Sequence, residues 1–91
     1  MNAEQREQLR IRLMVLMSPN GTGFGLPTAL LLMHVKMEAW RDLSRDELES
    51  ELQYLEEKGL VKQPVKMISP ENRVWGLTAA GRDFLAVQKL A

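Results

Sequence analysis

The stretch from Ser44 to Gly59 constrains this chain more than any other. Ser44 with Glu47 three residues later is a capping box, in which each side chain satisfies the other residue's free amide at a helix start. Leu48, Leu52 and Leu55 then recur at intervals of three and four, the spacing that lines one face of an α-helix. Gly59 stops the helix, because the closing residue adopts a left-handed conformation that glycine takes without a Cβ clash. Leu60 just beyond can fold back onto the last turn. The spacing predicts a helix from Ser44 to Lys58 with a narrow apolar edge, and that edge needs partners elsewhere in the chain.

Two such partners lie upstream. Asn2 can cap a first helix, with Glu4 and Glu7 favourably placed in its opening turns. Leu9, Leu13, Leu16 and Met17 follow as an apolar stripe, with Arg6, Arg10 and Arg12 mostly off it. Ser18-Pro19-Asn20-Gly21 ends this helix, since proline cannot continue the ladder and Asn-Gly favours a tight turn. A loop through Gly25 follows, with a short extended piece expected around Phe24. A second helix is expected from Pro27, a good first-turn residue, to about Met37. Leu30, Met33, His34 and Met37 line one of its faces, while Leu31, Leu32 and Val35 widen the apolar arc.

Downstream the pattern changes to extended segments, Leu60 to Met67 and Arg73 to Leu77, joined by the turn-forming Ser69-Pro70-Glu71-Asn72. This is the signature of a β-hairpin. Pro64 cannot donate to a ladder and places its strand at an edge. Thr78 caps a final helix that buries Phe84, Leu85 and Leu90. The expected order is helix, helix, helix, hairpin, helix: a mainly α fold carrying one β-hairpin.

Ninety-one residues, 45% apolar and 26% charged, suit one soluble domain spanning residues 1–91. Cysteine is absent and His34 is the only histidine, so disulfides, a thiol nucleophile and a zinc site of the usual kind are excluded. The acidic, polar start is not the basic lead of a signal peptide. The longest apolar run, Leu26 to Val35, is far short of the ~20 residues that span a bilayer. A cytoplasmic location is expected, with no membrane partner.

Two phrases carry a family likeness. Glu51-Leu52-Gln53-Tyr54-Leu55-Glu56-Glu57-Lys58-Gly59-Leu60-Val61 is similar to the end of the recognition helix in PadR-like and ArsR-like bacterial regulators. Val74-Trp75-Gly76-Leu77-Thr78-Ala79-Ala80-Gly81-Arg82 resembles the phrase that closes their wing and opens the last helix. The chain thus resembles the winged-helix (winged helix-turn-helix) superfamily, and also the short winged-helix reading frames of Mu-like prophages. The resemblance implies a three-helix core with a hairpin wing, duplex DNA as partner, and a role in transcription regulation. The metal-sensing part of the ArsR likeness does not transfer, because its cysteine and histidine ligands are missing.

Charge complicates that implication. The twelve basic and twelve acidic side chains balance, but eight acidic and three basic ones fall between Glu38 and Lys58, leaving four acidic and nine basic for the rest. Off the leucine stripe, the third helix offers Arg45, Asp46, Glu49, Ser50, Gln53, Glu56 and Glu57. Duplex DNA, with one negative charge per ~1.7 Å of axis, is repelled by such a face. Arg45, Ser50 and Gln53 are left as a narrow set of candidate contacts near the amino end. Lys62, Lys66 and Arg73 on the hairpin are the better candidates for phosphate, although cations there equally serve to keep an edge strand from pairing with another chain.

Two readings follow. The chain is a small regulator, expected to be dimeric, that touches DNA through Lys62, Lys66 and Arg73 with Arg45, Ser50 and Gln53. Alternatively it is a winged-helix interaction module that binds a protein through Glu49 and Glu56 of the acidic helix or through Leu31, Leu32 and Val35, with Met14 and Ile11 nearby. Catalysis is not expected. Gly21-Thr22-Gly23-Phe24-Gly25 lacks the Lys-Ser/Thr of a phosphate loop, and Leu26 stands where a dinucleotide fingerprint needs glycine. His34 sits in an apolar helical face with no serine or carboxylate arrangement around it. Glu47 and Glu51, at turn spacing, form no calcium-loop pattern. No cofactor, metal or small-molecule substrate is expected.

Overall fold

A computed structural model describes residues 2–18, 25–64 and 73–88. Helix α1 (Ala3–Met17) is followed by a two-residue strand β1 (Leu26–Pro27), α2 (Thr28–Glu38), α3 (Arg45–Glu57), β2 (Val61–Lys62), β3 (Val74–Leu77) and α4 (Ala79–Val87). The expected order of helices and hairpin holds. Phe24, Leu90, Lys66 and the turn Ser69 to Asn72 lie outside the described residues.

Both amino-terminal caps form as their spacing predicts. The Asn2 side chain accepts the Gln5 amide at 2.8 Å while Gln5 accepts that of Asn2. Ser44 and Glu47 exchange the same pair of bonds at 3.1 and 3.0 Å. At the other end of α3, Gly59 adopts φ +77°. Its amide donates to the Glu56 carbonyl and the Leu60 amide to that of Leu55, which together satisfy the last open turn of the helix.

Leu48, Leu52 and Leu55 of α3 are buried against Leu9, Leu13, Met14 and Met17 of α1 and Leu31 and Val35 of α2. The apolar arc of α2 is therefore resolved the other way round from its sequence pattern. The buried edge is Thr28, Leu31 and Val35, whereas Met33, His34 and Met37 face outward, Met37 with 76% of its surface exposed. Leu31, Val35 and Met14 are core residues with no surface to offer a partner, and Leu32 is half-buried.

A hydrogen bond from the other half of the chain selects this rotation. The buried Trp75 indole donates to the Thr28 hydroxyl at 2.9 Å, and that hydroxyl donates to the Arg73 carbonyl at 3.3 Å. Burying the indole N–H without an acceptor costs about 1–3 kcal/mol. Thr28→Val keeps the shape and removes the acceptor, so it should lower the unfolding free energy by about that amount in a urea titration. A cost below about 0.5 kcal/mol would separate the orientation of α2 from this bond.

The hairpin is one side of a three-stranded antiparallel sheet of order β1-β3-β2. Leu26 pairs with Trp75 on one side of β3, and Val61 with Leu77 on the other. β2 is an edge strand, as Pro64 just beyond it requires. Thr78 joins wing and helices. Its hydroxyl accepts the Gly81 amide at 3.0 Å to cap α4 and donates to the Gly59 carbonyl at 2.7 Å.

Candidate nucleic-acid interface

Helical geometry sorts the side chains of α3 into three bands. The buried band holds Leu48, Glu51, Leu52 and Leu55. Directly opposite, Asp46, Ser50, Gln53 and Glu57 form the exposed ridge, with two carboxylates and no cation. Arg45, Glu49 and Glu56 lie along one flank and are partly buried. There the Arg45 Nε lies 3.4 Å from the Glu49 carboxylate, so the one arginine of the helix is engaged by its own neighbour one turn on. The negative face expected from the sequence is the outward one.

Lys62 is exposed on the edge strand β2, and Arg73 is half-buried just before β3. Lys66 lies outside the described residues. The wing approaches α3 at its carboxyl end, where the Gln63 amide donates to Glu56 at 3.3 Å. Arg45 stands eleven residues earlier, about 16 Å away along the axis. The five described candidate DNA contacts therefore do not form one patch. Ser50 and Gln53 share the exposed ridge, Arg45 marks one end of the helix, Lys62 lies on the strand that leaves the other, and Arg73 lies beside Thr28 at the start of α2.

The strongest electrostatic feature joins α1 to α3. Glu51 falls within the leucine band and is 6% exposed. Its carboxylate is met by the Arg10 Nε at 2.8 Å, with Arg6 at 3.8 Å on the other oxygen. The same Arg10 guanidinium stacks over the Tyr54 ring, 3.8 Å from its centroid, and Lys58 approaches that ring at 5.6 Å. Arg12 pairs with Glu38 at 2.7 Å. Arg10 and Arg12 are thus spent holding α3 and α2, which breaks up any basic stripe along α1. The signal was present in the sequence: Glu51 lies between Leu48 and Leu55 on the apolar face, where a carboxylate must be paired.

Among the described residues no group of histidine, cysteine and carboxylate side chains is placed to hold a metal ion. Glu47 is held ionised below the usual glutamate range by the Ser44 backbone and hydroxyl hydrogen bonds of the cap, which is a structural duty. No helix among the described residues is long and apolar enough to cross a membrane.

No family model matches the chain. No curated protein is similar to it in sequence. Among solved structures, a PadR family transcription regulator from hypervirulent Clostridium difficile R20291 superposes with a TM-score of 0.64, covering 89% of this chain and 82% of that one at 23% identity. The likeness is one of fold: this chain has the winged-helix architecture, three helices and a β2–β3 hairpin followed by α4.

Proposed function

We propose that this chain is a small winged-helix regulator of transcription that contacts duplex DNA mainly through its wing. The observation that carries the reading is the fold, shared over most of its length with a transcription regulator. Lys62 and Arg73, with Lys66 between them in sequence, supply the phosphate-seeking charge. In this reading Arg45 touches backbone at the start of α3, while Asp46 and Glu57, at the two ends of the exposed ridge, keep the helix from entering a groove closely. Phosphate contacts position a protein and carry no sequence information, so this reading predicts weak, salt-sensitive and sequence-tolerant binding.

A salt titration of duplex affinity tests it. Three phosphate contacts would make log K fall against log salt with a slope of about −3. Lys62→Glu combined with Arg73→Glu should weaken binding at least tenfold and flatten the slope by roughly 2. No measurable affinity at about 50 mM salt would overturn the reading.

The acidic ridge and flank of α3 together favour a second reading, an interaction module that binds a basic protein surface through Asp46, Glu49, Glu56 and Glu57. This reading no longer includes Leu31 and Val35. Self-association belongs to either reading, and sedimentation of the isolated chain decides it. A cytoplasmic place follows from the regulator reading alone.

A further inference from the structure

An open cleft of about 550 Å³ lies between the first turns of α1 and the turn that joins α2 to α3. This volume is in the range of small-molecule sites, about 300–1,000 Å³. Gln5 and Gln8 line it from α1, the half-buried Trp40 and the buried Leu43 supply apolar surface, and Arg41, Asp42 and Glu47 complete it. Two of its charges are open to a ligand. Arg10, Arg12 and Arg45 are each paired with a carboxylate, whereas Arg41 and Asp42 make no ion pair among the described residues. Glu47 uses one carboxylate oxygen for the Ser44 amide, leaving its other for a further donor.

One cation and two anions beside an indole are complementary to a ligand that carries both charges and an apolar group. A lone anion would meet Asp42 and Glu47, and a lone cation would meet Arg41 and the positive end of α3. A zwitterion satisfies each: its carboxylate takes the planar guanidinium fork of Arg41, its ammonium takes a carboxylate, and its side chain covers Trp40. We propose that this cleft binds a small zwitterion of the amino-acid class with an apolar side chain. The proposal is independent of DNA binding, because every residue it uses lies outside the wing and the exposed ridge of α3.

The experiment uses the full chain, labelled with ¹⁵N and titrated with L-phenylalanine while the two indole N–H signals are followed. Trp75 is 1% exposed and serves as the internal reference. Saturable movement of the Trp40 signal with Trp75 still is expected. Arg41→Gln and Asp42→Asn, both at exposed positions, should each weaken binding about tenfold, the worth of one charge-assisted hydrogen bond. Phenethylamine and phenylacetate, each with one charge, should bind less tightly by a similar factor. No saturable shift up to about 10 mM, an affinity too weak for a built site, would overturn the proposal. Equal binding of the single-charge analogues, or indifference to both substitutions, would overturn it as well.

Discussion

Gly81→Ala is expected to destabilise this chain by roughly 3 kcal/mol or more, at the top of the range for overpacking. A methyl group at this position would fall on the Leu60 carbonyl oxygen and within 2.7 Å of Leu77 Cδ1. That carbonyl cannot retreat, because it accepts the Thr78 amide at 3.1 Å and sits between Gly59 and the start of β2. The helix preference of alanine over glycine, about 1 kcal/mol, works in the opposite direction and is outweighed. Thermal unfolding should move down by about 12 °C or more, at 4–8 °C per kcal/mol for a domain of this size. Gly59→Ala is the natural comparison. It has nothing within 4 Å of the added methyl but carries φ +77°, so it should cost only about 1 kcal/mol. If Gly81→Ala melted within a degree or two of wild type, or if Gly59→Ala were the worse variant, the packing of α4 against the base of the wing would be wrong.

Arg10→Ala should cost about 2–3 kcal/mol, at or just below the bottom of the range for breaking a buried pair because Arg6 remains near the second oxygen of Glu51. The expected asymmetry is the informative part. Removing Arg10 leaves a carboxylate that is 8% exposed without its 2.8 Å donor, and it also removes the stack on Tyr54. Glu51→Leu leaves an arginine that is 20% exposed, retains the Tyr54 ring and can turn its guanidinium to water. It should therefore cost less, and the double variant Arg10→Leu with Glu51→Leu less than the sum of the single changes. Arg6, with 56% of its side chain exposed, should matter little, within about 0.5 kcal/mol on conversion to alanine. A double-mutant cycle in urea measures all of this. Additive single changes, or a larger loss from Glu51→Leu than from Arg10→Ala, would contradict the role given to this pair.

Much of the fold was legible because its signals are local. The Ser44–Glu47 box, the leucine spacing, Gly59 and Thr78 each depend on residues within a few positions, and each appears where its chemistry requires. What escaped depends on contacts far apart in sequence. The rotation of α2 could not be read from a helix apolar nearly all round; it is chosen by Trp75 bonding to Thr28 across 47 residues. Strand β1 is two residues long and exists only as a partner for β3. The Arg10–Glu51 pair spans 41 residues.

The candidate site divides in the same way. The acidic outward ridge follows from helical spacing alone and is present in the structure. The apolar face built on Leu31 and Val35 failed with the rotation of α2. The separation of Arg45 from the base of the wing follows from chain order, since β2 leaves the carboxyl end of α3, and the bonds of Thr78 to Gly59 and of Gln63 to Glu56 hold the hairpin there.

The central claim is that the ridge through Asp46, Ser50, Gln53 and Glu57 stays away from nucleic acid while the wing approaches it. Backbone amide shifts of the ¹⁵N-labelled chain, followed as a short duplex is added at low salt, test this residue by residue. The largest movements should fall at Lys62, Arg73 and Arg45, and should fade together as salt is raised. Movements centred on Ser50 to Glu57 with the wing unmoved would place α3 in the groove despite its carboxylates, and the claim would be wrong.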